Sequence, residues 1–135
     1  MIMDPNNVEN SENRGTVVVA EDNDSNFQLV NAILKKETNI VRAVNGQEAV
    51  DFVKNGVGNI VLMDIKMPIM NGLDATMAIR EFNKEIPIIA LTANAFDSDK
   101  ERALEAGCND FIAKPLKKSD LIFLIHKWMG GETAE

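Results

Sequence analysis

At 135 residues, 45% of them hydrophobic, the chain holds material for one domain with a real core and none for a second folded unit. Its 14 Lys and Arg stand against 21 Asp and Glu, a formal charge of -7, which argues against nucleic acid as a direct partner. A single cysteine, Cys108, excludes an intramolecular disulfide, no apolar run reaches membrane-spanning length, and the polar start is unlike a signal peptide; the expected setting is cytoplasmic, with no membrane contact by this domain.

Residues 1–15, rich in Asn, Glu, Asp and Ser, read as a disordered tail or linker, and residues 130–135 as a C-terminal tail, leaving 16–129 for the domain. Thr16 to Ala20 is a β-branched strand that runs into two carboxylates, Glu21 and Asp22. Helical periodicity follows from Ser25 to Lys36 through Phe27, Val30, Ile33 and Leu34, with Ser25 and Gln28 at capping-box spacing. Asn39 to Ala43 is a second strand, less apolar and so placed toward a sheet edge. Gln47 to Lys54 is a short helix with Gly56 suited to stop it.

Ile60-Val61-Leu62-Met63 is an apolar run suited to a strand buried on both faces, and Asp64 ends it. Pro68, Asn71 and Gly72 then carry the chain out of the sheet. A third helix spans Leu73 to Phe82. Pro87 opens the strand Ile88 to Leu91, which ends at Thr92. Ser98 to Ala106 is a helix with Ser98 and Glu101 at capping-box spacing and Gly107 past its end. Phe111 and Ile112 mark a brief fifth strand that ends near Lys114-Pro115, and Asp120 to Met129 is a last helix with Leu121, Leu124, Ile125 and Trp128 on one face.

Five strands alternating with five helices predict an α/β fold with a doubly wound, five-stranded parallel sheet. Ligands of such folds bind at the carboxyl ends of the strands, where strand order reverses. In the flavodoxin-like order 2-1-3-4-5 the reversal sets Glu21 and Asp22 beside Asp64. The polar residues that end four strands, Glu21 and Asp22, Asp64, Thr92 and Lys114, therefore converge. Three crowded carboxylates must hold protons or a cation, and a hard divalent metal such as Mg2+ suits them. With Lys114 as a fixed positive charge and Thr92 as a hydroxyl donor, the set describes a phosphoryl-transfer site in which Asp64 attacks phosphorus.

The residues Ala-Glu-Asp-Asn at 20–23, Met-Asp-Ile-Lys-Met-Pro-Ile-Met-Asn-Gly at 63–72, Ala-Leu-Thr-Ala at 90–93 and Phe-Ile-Ala-Lys-Pro-Leu at 111–116 resemble the receiver domains of two-component response regulators. Each motif is weak alone; all four, in order and at the right strand ends, are highly specific. The resemblance covers about Val17 to Trp128. It implies that Asp64 is the phosphoacceptor, that Asp22 and Asp64 ligate Mg2+ by side chain and Lys66 by its backbone carbonyl, and that Glu21 holds the metal through water. Family members often carry Asp-Asp where this chain has Glu21-Asp22. It further implies that Lys114 and the Ala93 backbone N–H contact the phosphoryl group, that Lys114-Pro115 is cis, and that Thr92 and Phe111 form a switch pair. With no tyrosine in the chain, that switch has an apolar ring only.

The implied partner is a histidine kinase or a histidine phosphotransfer domain, and the implied state a monomer or weak homodimer. The wording of the motifs leans toward receivers of hybrid histidine kinases, and a stand-alone regulator fits as well. The chain is no conventional enzyme beyond its own phosphorylation and dephosphorylation, whose lifetime Lys66 and Asn94 are placed to tune. Leu116, Ile122 and Phe123 offer candidate partner surface, His126 reads as an exposed helix-end residue, and Cys108 as structural. Met67 and Met70 flank the site. A small phosphatase would need an acid-base carboxylate two residues after Asp64, where Lys66 stands. A flavodoxin-like cofactor binder would need a phosphate-cradling first loop, which here is acidic. An unphosphorylated interaction module is the remaining alternative.

Overall fold

The computed structural model describes residues 14–93 and 98–129. Five parallel strands, β1 (Thr16–Ala20), β2 (Asn39–Ala43), β3 (Ile60–Asp64), β4 (Ile88–Thr92) and β5 (Asp110–Ala113), form one sheet in the order β2-β1-β3-β4-β5. Five helices connect and cover it: α1 (Asp24–Leu34), α2 (Gly46–Lys54), α3 (Gly72–Arg80), α4 (Ser98–Ala106) and α5 (Lys118–Met129). The doubly wound sheet expected from the alternating pattern is what forms, with the less apolar second strand at an edge. Among the described residues no helix is long and apolar enough to cross a membrane.

Every residue of β3 and β4 is buried, because both faces of these central strands are roofed by helices. Alternate residues divide between two layers. Val18, Val61, Met63 and Ala90 pack toward α2, α3 and α4, whereas Val19, Leu62, Ile89 and Leu91 pack toward α1 and α5. At the far end of the sheet Arg80 ties three segments together, donating to Gly107 O at 2.9 Å, Asn83 O at 3.1 Å and Asn109 Oδ1 at 2.8 Å. That clamp anchors the C-terminal end of α4.

Helix ends differ from expectation by one or two residues. α1 stops at Leu34, α3 at Arg80, and α5 begins at Lys118. The capping box expected at Ser25 and Gln28 is overturned: Asn23 is the cap, its Oδ1 accepting from Asn26 N at 2.9 Å, and Ser25 already lies inside the helix. Asn45 and Asn71 start α2 and α3 the same way, accepting from Glu48 N and Asp74 N, each at 2.8 Å. Asn23→Ala is therefore expected to lower stability by about 1 kcal/mol and Ser25→Ala by less than about 0.5 kcal/mol, measured by urea unfolding. Equal costs would remove Asn23 as the cap. The tails at residues 1–13 and 130–135, and Asn94, lie outside the described residues, as does the side chain of Ser98.

Candidate functional site

The site forms where β1 and β3 lie side by side, with Ala20 in register with Met63. The carboxylates that follow them meet: oxygens of Glu21, Asp22 and Asp64 all lie within 4.8 Å of one another. Glu21 is fully buried and Asp64 nearly so, while Asp22 faces solvent at the mouth. Asn23 N donates to Glu21 Oε2 at 3.2 Å, and Lys66 N donates to Asp64 Oδ1 at 3.2 Å. Arg42 Nε reaches back from β2 to the Glu21 carbonyl at 3.1 Å, with its guanidinium 2.9 Å from Asp24 and stacked over Phe27. An arginine inside a strand next to the acidic end of β1 was the sequence signal for this brace, and sequence reasoning passed over it.

Lys114 comes from the opposite side. Its Nζ lies 3.2 Å from Glu21 Oε1 and 3.3 Å from Asp64 Oδ2, bridging the two buried carboxylates. Its backbone N–H donates to Thr92 O at 2.7 Å, and the Lys114-Pro115 bond that follows is cis, as expected. One ammonium does not balance three carboxylates. Burial first, and then the neighbouring Glu21 carboxylate, push the Asp64 carboxyl up from 3.8 to about 6, against the pull of Lys114 and the Lys66 amide. Among the described residues Glu21 Oε1 is buried with no aligned hydrogen-bond donor. The cluster has room and charge for a further cation, and its all-oxygen donors are those a hard divalent ion prefers.

Thr92 ends β4 with its side chain almost completely buried, and its hydroxyl lacks a hydrogen-bond partner among the described residues. Ala93, one residue on, is exposed. Phe111 lies outside the charged cluster. Register pairs Ala90 with Phe111 and Thr92 with Ala113, so Thr92 and Phe111 share a sheet face on neighbouring strands, set diagonally. The Phe111 ring is half-buried, with Lys100 Nζ of α4 4.9 Å from its centroid. Asp110 connects this strand to α5, its carboxylate accepting from Phe111 N at 2.9 Å and from Trp128 Nε1 at 3.0 Å.

The remaining candidates resolve simply. His126 pairs with Glu37 at 2.7 Å on the surface. Cys108 is buried 3.6 Å from Thr76 Oγ1, and burial pushes its thiol up from 9.0, as suits a packing residue. Phe123 is exposed, with Leu116 and Ile122 partly covered. Met67 and Met70 turn inward against the core.

The family model of the response regulator receiver domain matches residues 17–126. The chain is 42% identical over 120 residues to hybrid signal transduction histidine kinase I of Dictyostelium discoideum, covering 82% of this chain and 7% of that protein's length. It is similar, at a TM-score of 0.81 and 34% identity, to the receiver domain of sensor histidine kinase PA1611 from Pseudomonas aeruginosa PAO1, solved with a magnesium ion in its active-site cleft; 87% of this chain and 98% of that one are covered. It is likewise similar, at a TM-score of 0.80 and 34% identity over 84% of this chain and 88% of that one, to the receiver domain of Saccharomyces cerevisiae Ssk1, solved with the histidine phosphotransfer protein Ypd1. A cluster of three carboxylates, the two buried ones bridged by a lysine, on a 2-1-3-4-5 sheet matched along its length by that family model means that the chain belongs to the response regulator receiver domains.

Proposed function

We propose that residues 16–129 form a phosphoacceptor domain that takes a phosphoryl group on Asp64 from a phosphohistidine of a histidine kinase or histidine phosphotransfer domain. One observation carries this reading. Asp64 is a nearly buried carboxylate in an acidic cluster that opens to solvent at Asp22, held by a backbone amide on one oxygen and an ammonium near the other. An Asp64 oxygen attacks phosphorus, the P–N bond breaks, its electron pair leaves with the imidazole, and an acyl phosphate remains.

Asp22 and Asp64 by side chain, Lys66 by its carbonyl and Glu21 through water would hold Mg2+. When bound, that ion offsets the negative charge on the transferring oxygens. Lys114 neutralises the side facing Glu21, and the Ala93 N–H and Thr92 hydroxyl would donate to phosphoryl oxygens. The unpartnered Thr92 hydroxyl supports its part in this reading, since a buried donor without an acceptor gains from a new oxyanion. Drawing it toward the site empties space beside Phe111, so that the ring turns inward and the α4-β5-α5 face changes. The domain works in the cytoplasm, as a monomer or weak homodimer, within a hybrid kinase or free of one.

The test is intact mass after incubation with Mg2+ and phosphoramidate. Wild type is expected to gain one phosphoryl group, lost with chelator and absent in Asp64→Asn. Folded wild type without an adduct would leave the fold as an interaction module.

A further inference from the structure

We propose that Arg42 is a positioning residue for the metal: by fixing the peptide between Glu21 and Asp22 it sets how tightly this site takes up Mg2+. The inference rests on the phosphoacceptor reading above. The ladder between β1 and β2 ends one residue past β1, where Glu21 N donates to Ala43 O at 3.0 Å. Beyond that bond the amides that follow β2 turn elsewhere. Val44 N donates to Glu48 Oε1 at 2.9 Å and Gly46 N to Met70 O at 2.8 Å, as the chain leaves to start α2. Among the described residues no backbone amide donates to Glu21 O, although Glu21 is wholly buried. An unpaired carbonyl there is unfavourable, and the Arg42 Nε–H, 3.1 Å away, is the donor that answers it.

A guanidinium suits this place for reasons that another cation does not share. Its plane sets Nε on the Glu21 carbonyl and Nη2 2.9 Å from Asp24 Oδ1, while its face lies over the Phe27 ring, 4.7 Å from the centroid. One side chain thus holds the carbonyl before Asp22 and the first turn of α1 after it. Paired with Asp24, the guanidinium brings donors to the acidic mouth without net charge, and so does not repel the cation it helps to seat.

The consequence falls on Asp22. Its side chain is exposed, so little except its own backbone fixes where the carboxylate points. Because the peptide is planar, turning the Glu21 carbonyl turns Asp22 N with it. Without Arg42 that peptide is free to swing toward water, and the three carboxylates no longer keep oxygens within 4.8 Å of one another. No strand lies beyond β2 to replace the brace, since β2 is the sheet edge.

Arg42→Ala and Arg42→Lys are to be compared with wild type and with Gly56→Ala, which loses stability past the other end of α2. Calorimetric titration of the unphosphorylated proteins with Mg2+ is expected to show the Kd raised about tenfold in both Arg42 variants and unchanged in Gly56→Ala. With phosphoramidate as donor, the Mg2+ concentration for half-maximal phosphorylation should rise by the same factor, the rate at saturating Mg2+ staying within about twofold of wild type. Unchanged Mg2+ affinity in Arg42→Ala would overturn the proposal. So would wild-type affinity in Arg42→Lys, since charge alone would then suffice, an equal loss in Gly56→Ala, or a wild type that takes up no Mg2+. Failure of the phosphoacceptor reading looks different: wild type would bind Mg2+ yet gain no phosphoryl group, and the calorimetric comparison would still decide the part of Arg42.

Discussion

Asp64→Asn, besides abolishing phosphoryl acceptance, is expected to raise the melting temperature of the metal-free protein by several degrees at pH 8. The Asp64 carboxyl titrates near 6 in the fold against 3.8 for an ordinary aspartate. A folded-state value above the unfolded one means that the native state holds the proton more tightly. Stability is then lost as pH rises from about 4 to about 6, and the whole cost is present above that window. Asparagine keeps the shape, can still accept from Lys66 N, and removes a charge that burial and Glu21 both oppose.

The shift alone would correspond to about 3 kcal/mol. Solvent screening reduces this to about 1–2 kcal/mol, or roughly 3–8 °C for a domain of this size. The gap should shrink by roughly half at pH 5. Adding Mg2+ should narrow it from the other side, because only wild type has the full acidic set to bind it. Thermal unfolding with chelator at the two pH values decides the matter, and a pH-independent gap would mean that charge crowding is not its source.

Gly72→Ala is expected to be the most damaging single-methyl addition near the site. A Cβ at Gly72 would lie 2.1 Å from Asp64 O and 2.9 Å from Met63 Cγ. The first of these is backbone and cannot turn aside, so the end of β3 and the start of α3 must separate. About 3 kcal/mol of lost stability is the expected scale, near the upper end for overpacking, with weaker Mg2+ binding because Asp64 itself is displaced. Gly56→Ala is the control. Nothing lies within 4 Å of its added Cβ, and only its φ of 82° resists the change, for about 1 kcal/mol. Urea unfolding of the pair should rank Gly72→Ala well below Gly56→Ala. A reversed order would mean that the α3 start does not press on Asp64.

The parallel sheet was readable because its strands are short apolar runs that stop abruptly at polar residues. Ile60 to Met63 followed by Asp64, and Ile88 to Leu91 followed by Thr92, show both the burial and the exit. The convergence of Glu21, Asp22, Asp64 and Lys114 followed from that, since strand ends on one side of a parallel sheet share a crevice. Helix starts were less readable because several residue types offer the same oxygen. Asn23 and Ser25 both suit a cap, and the choice depends on where the chain leaves Glu21, whose carboxylate binds the Asn23 amide. Ile69 was out of reach for the opposite reason. Its residue type argues against the positive φ, 69°, that anchors at Ile65, Met70 and Gly46 impose. Arg42, too, takes its role from a neighbouring strand and not from its own segment.

Trp128 is the single indole in the chain, and there is no tyrosine to absorb beside it. Its N–H is held by the same carboxylate that receives the amide of Phe111, with the Lys127 ammonium 5.3 Å from its ring centroid. Ultraviolet emission from this protein therefore originates at one place, one side chain away from the strand that carries Phe111. A rearrangement of that strand alters the electric field along the indole and with it the colour and lifetime of the emitted light. The domain thus contains its own optical probe, and the state of the face formed by β5 and α5 can be followed in real time in unlabelled protein.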